Sequence, residues 1–229
     1  MCSNISCLVL RLDGPMQSWG TSSQFNRRQT DLLPSRSAIF GILCASLGVD
    51  RGSEEESEYF KNFSYIQMKS VAIPRIKSDN NELLVKRMDD FHTIMNTPKA
   101  DGGTKDCHIT NRQYLLDASF RVFITGEKIL LQKLADAITN PVWGVWLGRK
   151  CCIPSAPIFG GLFDSEQMAL QQCLAPFSLD NLFWTGDAQD YSDGDDSVPD
   201  IPLSFGSSTR HFILRRIQRH ITHRTAYAT

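Results

Sequence analysis

The chain has 229 residues, 41% of them hydrophobic, and a formal net charge of −1. That is enough apolar material to bury a core in one large or two small domains. The balanced charge excludes a global basic field but allows a local basic face, and no apolar run is long enough to span a membrane.

In chain order, Leu8–Leu12 reads as a strand. It runs into "GPMQSWG" (14–20), which holds more than a turn requires. Glycine and proline suffice for a turn, so Gln17, Ser18 and Trp19 must either pack or bind. Ser35 is placed to cap a helix over Ala38–Leu47, which Gly48 ends. Ser53, with Glu56 three residues on, is a capping box for a second helix. Tyr65–Ile73 reads as a strand closed by Pro74, and "ELLVKRMDDF" as another. Residues 94–108, with Pro98 and Gly102-Gly103, read as a loop. "SFRVFIT" (119–125) alternates as a strand, and 127–138 places Leu130, Leu131, Leu134, Ala135 and Ile138 at helical spacing. A glycine- and proline-rich segment follows at 144–163, and "RHFILRRIQRHITHR" ends the pattern as a basic strand. The order fits an α+β, ferredoxin-like βαββαβ core with insertions. Leu8–Leu12 is expected to be a central strand, with the helices 38–47 and 129–138 packed on one face.

Charge is unevenly placed. Residues 180–209 hold seven aspartates and no Lys or Arg, whereas 210–224 hold five arginines, three histidines and no acid. Two arrangements suit this: a solvated acidic loop beside a basic edge strand, or a basic strip that meets phosphate. The seven cysteines form no CxxC pair, and no secretory segment opens the chain. Reduced thiols in a cytoplasm are therefore expected, and Cys151-Cys152 has no nearby partners for a zinc site.

Several segments carry chemistry suited to unstacked RNA. Gln17 and Ser18 offer neutral donors, and Trp19 offers either a stacking face or a cover for the core edge. Arg27, Arg28, Arg36 and Ser37 lie just before or at a helix N-terminus, where phosphate is attracted. Arg149 and Lys150 tip a second glycine-containing turn that lacks the P-loop pattern. No GxSxG, HExxH, paired-carboxylate or cofactor signature is present. His92, His108 and Tyr114 have the proton-transfer chemistry for RNA cleavage, although their spacing alone does not bring them together.

"LRLDGPMQSWG", "RRQTDLLPSRSAIFGILCASLG", "DDFHTI", "RQYLLDASF" and "WLGRKCCIPSAPIF" resemble, in order and spacing, the CasD-type branch of the fifth Cas family of type I-E CRISPR Cascade complexes. The resemblance spans roughly residues 5 to 163. It implies a RAMP protein with a ferredoxin-like, RRM-related core over 1–140, a β-hairpin thumb at about 92–112, and an irregular β-rich part over 141–229. It implies a subunit without catalytic residues, cofactor or metal that caps the 5′ handle of the crRNA. Such a subunit abuts the backbone and large subunits of the complex, with target DNA held through the complex. Gln17, Ser18, Trp19, Arg27, Arg28, Arg36, Ser37, Arg149 and Lys150 would meet the handle, with His92 and Arg112 bounding the thumb. A metal-independent endoribonuclease that processes the crRNA precursor is the alternative.

Overall fold

The computed structural model describes residues 4–21, 23, 26–76, 82, 83, 85–206 and 211–221. Along the chain run β1 (Ile5–Asp13), β2 (Met16–Gln17), β3 (Arg27–Arg28), α1 (Arg36–Leu47), α2 (Glu54–Phe63), β4 (Gln67–Ala72), β5 (Arg75–Ile76), β6 (Glu82–Leu83), β7 (Lys86–Pro98), β8 (Thr104–Leu116) and β9 (Ser119–Glu127). There follow α3 (Lys128–Thr139), β10 (Phe159–Phe163), α4 (Glu166–Leu174), β11 (Trp184–Asp187), β12 (Asp196–Ser204) and β13 (His211–His220).

The α+β class is as expected. One antiparallel sheet has the order β10-β1-β9-β4-β11-β13-β12. β1 is interior, paired with β9 from Ile5↔Glu127 to Asp13↔Ser119. Successive strand residues face opposite sides, so β1 serves two cores. Leu8, Leu10 and Leu12 join α1, α2 and α3 in the larger cluster, around Phe40, Leu43, Phe63, Leu131 and Leu134. Cys7 and Val9 face the other side, with Ala169 and Leu174 of α4. Each fully buried leucine contributes about 1.5–3 kcal/mol relative to exposure. The expected helices thus share one face, and α4, which the sequence pattern did not reveal, covers part of the other. One sheet crosses residue 140: β10 pairs with β1 and β11 with β4, and β13 and β12 extend it from β11.

The helix starts follow from local chemistry. Ser35 Oγ accepts from Ala38 N at 3.4 Å, and Gly48 closes α1 at φ 77°. Ser53 Oγ accepts from Glu56 N at 3.0 Å. The Glu56 carboxylate reaches back to Gly52 N (3.1 Å) and also accepts from Phe205 N (3.1 Å), so this cap ties α2 to the far end of β12.

Two expectations fail here. Residues 94–108 are not a loop: β7 and β8 pair from Lys86↔Leu116 to Pro98↔Thr104, leaving only residues 99–103 as a turn. The hairpin is therefore longer than the expected 92–112. The alternation Phe91, Thr93, Met95 against Cys107, Ile109, Asn111 supplies strand pattern that the glycines and proline had masked. The second failure concerns the basic tail. β13 is not an edge strand but lies between β11 and β12, and aspartates of the acidic segment pair with its arginines. The tail beyond Ile221 lies outside the described residues.

Candidate nucleic-acid interface

The "GPMQSWG" loop is a packing device. Gln17 is fully buried, and its Nε2 donates to Leu12 O (3.0 Å) and Ala118 O (2.8 Å). Its Oε1 accepts the indole N–H of Trp19 at 3.1 Å. Trp19 itself is 0% exposed, and its backbone N–H donates to Thr30 Oγ1 at 2.7 Å. Ser18 is buried and its N–H donates to Leu147 O at 3.0 Å. The glutamine suits this place because its amide donates to two interior carbonyls while its oxygen accepts the indole N–H. The expected stacking face of Trp19 and the free donors of Gln17 are corrected accordingly, whereas Ser18 lines a groove beside Gly148 and Lys150.

Arg36 is corrected too. Its side chain is 5% exposed, forms an ion pair with Asp187, and donates from Nη2 to Phe63 O and Ile66 O, both at 2.8 Å. It anchors the start of α1 to β11 and to the end of α2; its Nε has no partner among the described residues but is buried, so the head group does not face phosphate. Burial pulls its pKa below the ordinary value, against the attraction of Asp187.

The remaining candidates gather where three segments meet. β3 runs parallel to β8 with Arg28 beside Arg112, so these two side chains share a face. Cross-strand register puts Asp90 opposite Arg112 and His92 opposite Thr110 on that same face. Arg112 Nε donates to Thr110 Oγ1 at 3.1 Å, and His92 Nδ1 lies 3.7 Å from Asp90 Oδ2. Arg149 closes the corner: it donates to Gln113 O and Arg28 O, both at 2.8 Å, and lies over the Tyr114 ring at 4.6 Å. It thus straps the 148–150 turn onto β3 and β8, and Lys150 is left exposed beside it. Gly148, at φ +99°, lets this turn approach the first loop, since a Cβ there would stand 1.7 Å from Ser18 O. Arg27 is exposed on the opposite face from Arg28.

His92, His108 and Tyr114 have separate partners. His108 Nδ1 lies 3.4 Å from Lys105 Nζ, and the buried Tyr114 hydroxyl meets Cys151 Sγ at 3.6 Å beneath Arg149. Burial pushes the Tyr114 phenol up. Among the described residues there is no group of three metal-ligating side chains, and no helix long and apolar enough to cross a membrane.

Electrostatically the two basic regions differ. On β13, Arg215 pairs with Asp200 (2.7 Å) and Asp187 (2.5 Å), and Arg219 with Asp196 (2.9 Å). Among the described residues, Arg27, Arg28, Arg112, Arg149, Lys150 and Arg51 have no carboxylate within 4.0 Å. Arg28, Arg112, Arg149 and Lys150 thus bring several cations without acidic partners to the hairpin base and the 148–150 turn.

Beside that turn, a groove of about 710 Å³ opens between α1 and residues 143–150, with Ser37 and Lys150 in its lining. Trp143 and Trp146, 42% and 38% exposed, also line it. Sequence reasoning passed over both. The available signal was "VWGVWLG", two tryptophans in a segment with neither helical nor strand period.

A family model described as CRISPR-associated protein (Cas_Cas5) matches residues 7–218. Among curated proteins, the chain is 31% identical over 161 residues to the CRISPR system Cascade subunit CasD of Escherichia coli (strain K12), covering 68% of this chain and 70% of that one. Among solved structures, it is similar to a chain of a CRISPR RNA-guided surveillance complex, at TM-score 0.73 and 27% identity, covering 93% of this chain and 88% of that one. It is also similar to a crystal structure of a Cas protein, at TM-score 0.63 and 27% identity, covering 93% of each.

Proposed function

The chain belongs to the Cas5 family of CRISPR-associated proteins, and from that premise we propose that it is a non-catalytic subunit of a type I-E surveillance complex, binding and capping the 5′ handle of the crRNA. The observation that carries the reading is the meeting of β3, the base of the β7–β8 hairpin and the 148–150 turn. Arg28, Arg112 and Lys150 are free cations there, held by backbone pairing and by the Arg149 strap. Phosphates positioned by such groups fix register without reading sequence.

The order β10-β1-β9-β4, with α1 and α2 between β1 and β4 and α3 between β9 and β10, supports a ferredoxin-like, RRM-related reading of the core. The β7–β8 hairpin is the thumb. Its outer face carries Phe91, Met95 and Ile109 exposed, as suits an element that is covered in an assembly. The partners are the crRNA and the backbone and large subunits, with target DNA held through the complex, in the cytoplasm. Guide pairing rather than this chain reads the target.

The test is the affinity of the purified chain for a handle-length single-stranded RNA across a salt series. Arg28→Ala and Arg112→Ala should each weaken binding by about 1 kcal/mol and flatten the salt slope by about one charge. Unchanged affinity and slope in both folded variants would overturn the assignment of this face. Incubation with repeat RNA in EDTA should leave the RNA intact. Site-specific cleavage lost on changing His92 or His108 would favour the endoribonuclease instead.

A further inference from the structure

The groove between α1 and residues 143–150 is built differently from the phosphate-facing corner beside it. Its walls are indoles. Trp143 is pinned by its backbone N–H to Ala45 O at 3.2 Å, and Val142 N–H donates to Ser46 O at 2.9 Å, so the segment is fastened along α1. Trp146 lies over Gly144, where a Cβ would stand 2.9 Å from its ring. Among the described residues neither indole has an aromatic or cationic partner, and neither indole N–H has an acceptor. Both rings thus keep a face open to the groove.

The floor of the groove is kept open as well. Gly41 lies within α1, where glycine costs about 1 kcal/mol relative to alanine. Among the described residues, a Cβ there would touch only Phe205, at 3.9 Å. The rim is cationic. Arg51 and Lys150 have no acidic partner among the described residues. The acid in the lining, Glu56, is buried and already accepts from Gly52 and Phe205. Unpartnered aromatic faces beneath a positive rim complement a polyanion with flat apolar bases.

We propose that this groove is a nucleobase site: one unstacked base of the bound RNA enters it and stacks on Trp143 or Trp146, while Arg51 and Lys150 hold the flanking phosphates. The proposal rests on the reading of the chain as an RNA-binding subunit and adds the residues that grip a base. Gln17 and Trp19, which the sequence offered for this role, are committed to the core, and the indoles at 143 and 146 take it over.

The test is titration of the full chain with handle-length single-stranded RNA, read by tryptophan fluorescence and by affinity across a salt series. Trp143→Ala and Trp146→Ala should together account for a loss of roughly 5- to 150-fold per stacked base, with the salt slope unchanged. Trp143→Phe should retain most of the affinity. Gly41→Leu fills the floor while improving helix propensity, so it should lose RNA affinity with no fall in melting temperature. RNA with a single abasic position at the entering nucleotide should reproduce the loss on the unaltered protein. If Trp143→Ala, Trp146→Ala and Gly41→Leu all bind normally while Arg28→Ala and Arg112→Ala do not, the RNA face stands and the nucleobase site is wrong. If every abasic RNA binds as well as the intact one, the groove serves a protein and the proposal is overturned. Failure of the unaltered chain to bind RNA even at low salt would overturn both readings.

Discussion

Arg215 grips Asp200 with one edge of its guanidinium, Nε 2.8 Å from Oδ1 and Nη2 2.7 Å from Oδ2, at side-chain exposures of 8% and 1%. The same Arg215 pairs with Asp187, which also pairs with Arg36. Asp200 Oδ2 accepts the Arg36 backbone N–H at 2.8 Å. This buried quartet joins β11, β12 and β13 to the first residue of α1. Burial opposes the charge of Arg215, but Asp200 and Asp187 outweigh it and hold the pKa above its ordinary value. Removing one partner strands the others: Asp200→Ala should cost about 3–5 kcal/mol in denaturant unfolding. A cost below about 1 kcal/mol would mean the quartet is hydrated in solution.

Trp19 belongs to the core and not to the RNA. Trp19→Ala should lower stability by about 3–5 kcal/mol, since it empties the largest fully buried side chain and strands Gln17 Oε1. RNA affinity of the fraction that stays folded should not change. A folded variant of undiminished melting temperature with weakened RNA binding would restore the stacking role.

Asp13 sets an acid limit. Burial alone would raise its pKa, but hydrogen bonds from Ser119 (2.6 Å) and Arg11, with the nearby Arg121 charge, outweigh burial and hold it below the usual carboxylate range. Its contribution is therefore present above about pH 4 and is lost as pH falls through the lowered folded value. Asp13→Asn should be less stable than the unaltered chain near neutrality, and the gap should close as pH drops below about 4. A gap that is constant with pH would show that Asp13 titrates alike in both states.

The thiols divide by burial. Burial pushes Cys7 and Cys152 up to about 11 and Cys44 up to about 12, so they remain protonated thiols at pH 8. An aromatic disulfide reagent should modify exposed Cys151 in the native chain and reach these three only on unfolding. Bound RNA should slow the reaction of Cys151, which adjoins Lys150. Modification of Cys151 at the same rate with and without saturating RNA would place the RNA elsewhere.

Features under the control of local chemistry are legible in the residues alone. Ser35, Gly48 and Ser53 start and stop helices through hydrogen bonds spanning three or four residues, and the apolar spacings at 8–12, 119–125 and 127–138 set period and buried face. The meeting of Arg28, Arg112 and the Arg149-Lys150 turn was legible only as separate basic segments and through family resemblance. Tertiary structure alone decided which polar residues were available. Gln17 and Trp19 look like ligand groups until Ala118, 101 positions from Gln17, supplies a carbonyl in the interior. Arg36 and Arg215 look like phosphate binders until β11 and β12 bring Asp187 and Asp200 against them. Trp143 and Trp146 carry no periodic signal, and only the packing of their segment on α1 leaves their rings at an open groove. A side chain's composition fixes what it can bind, but burial against partners distant in sequence fixes whether it is free to do so.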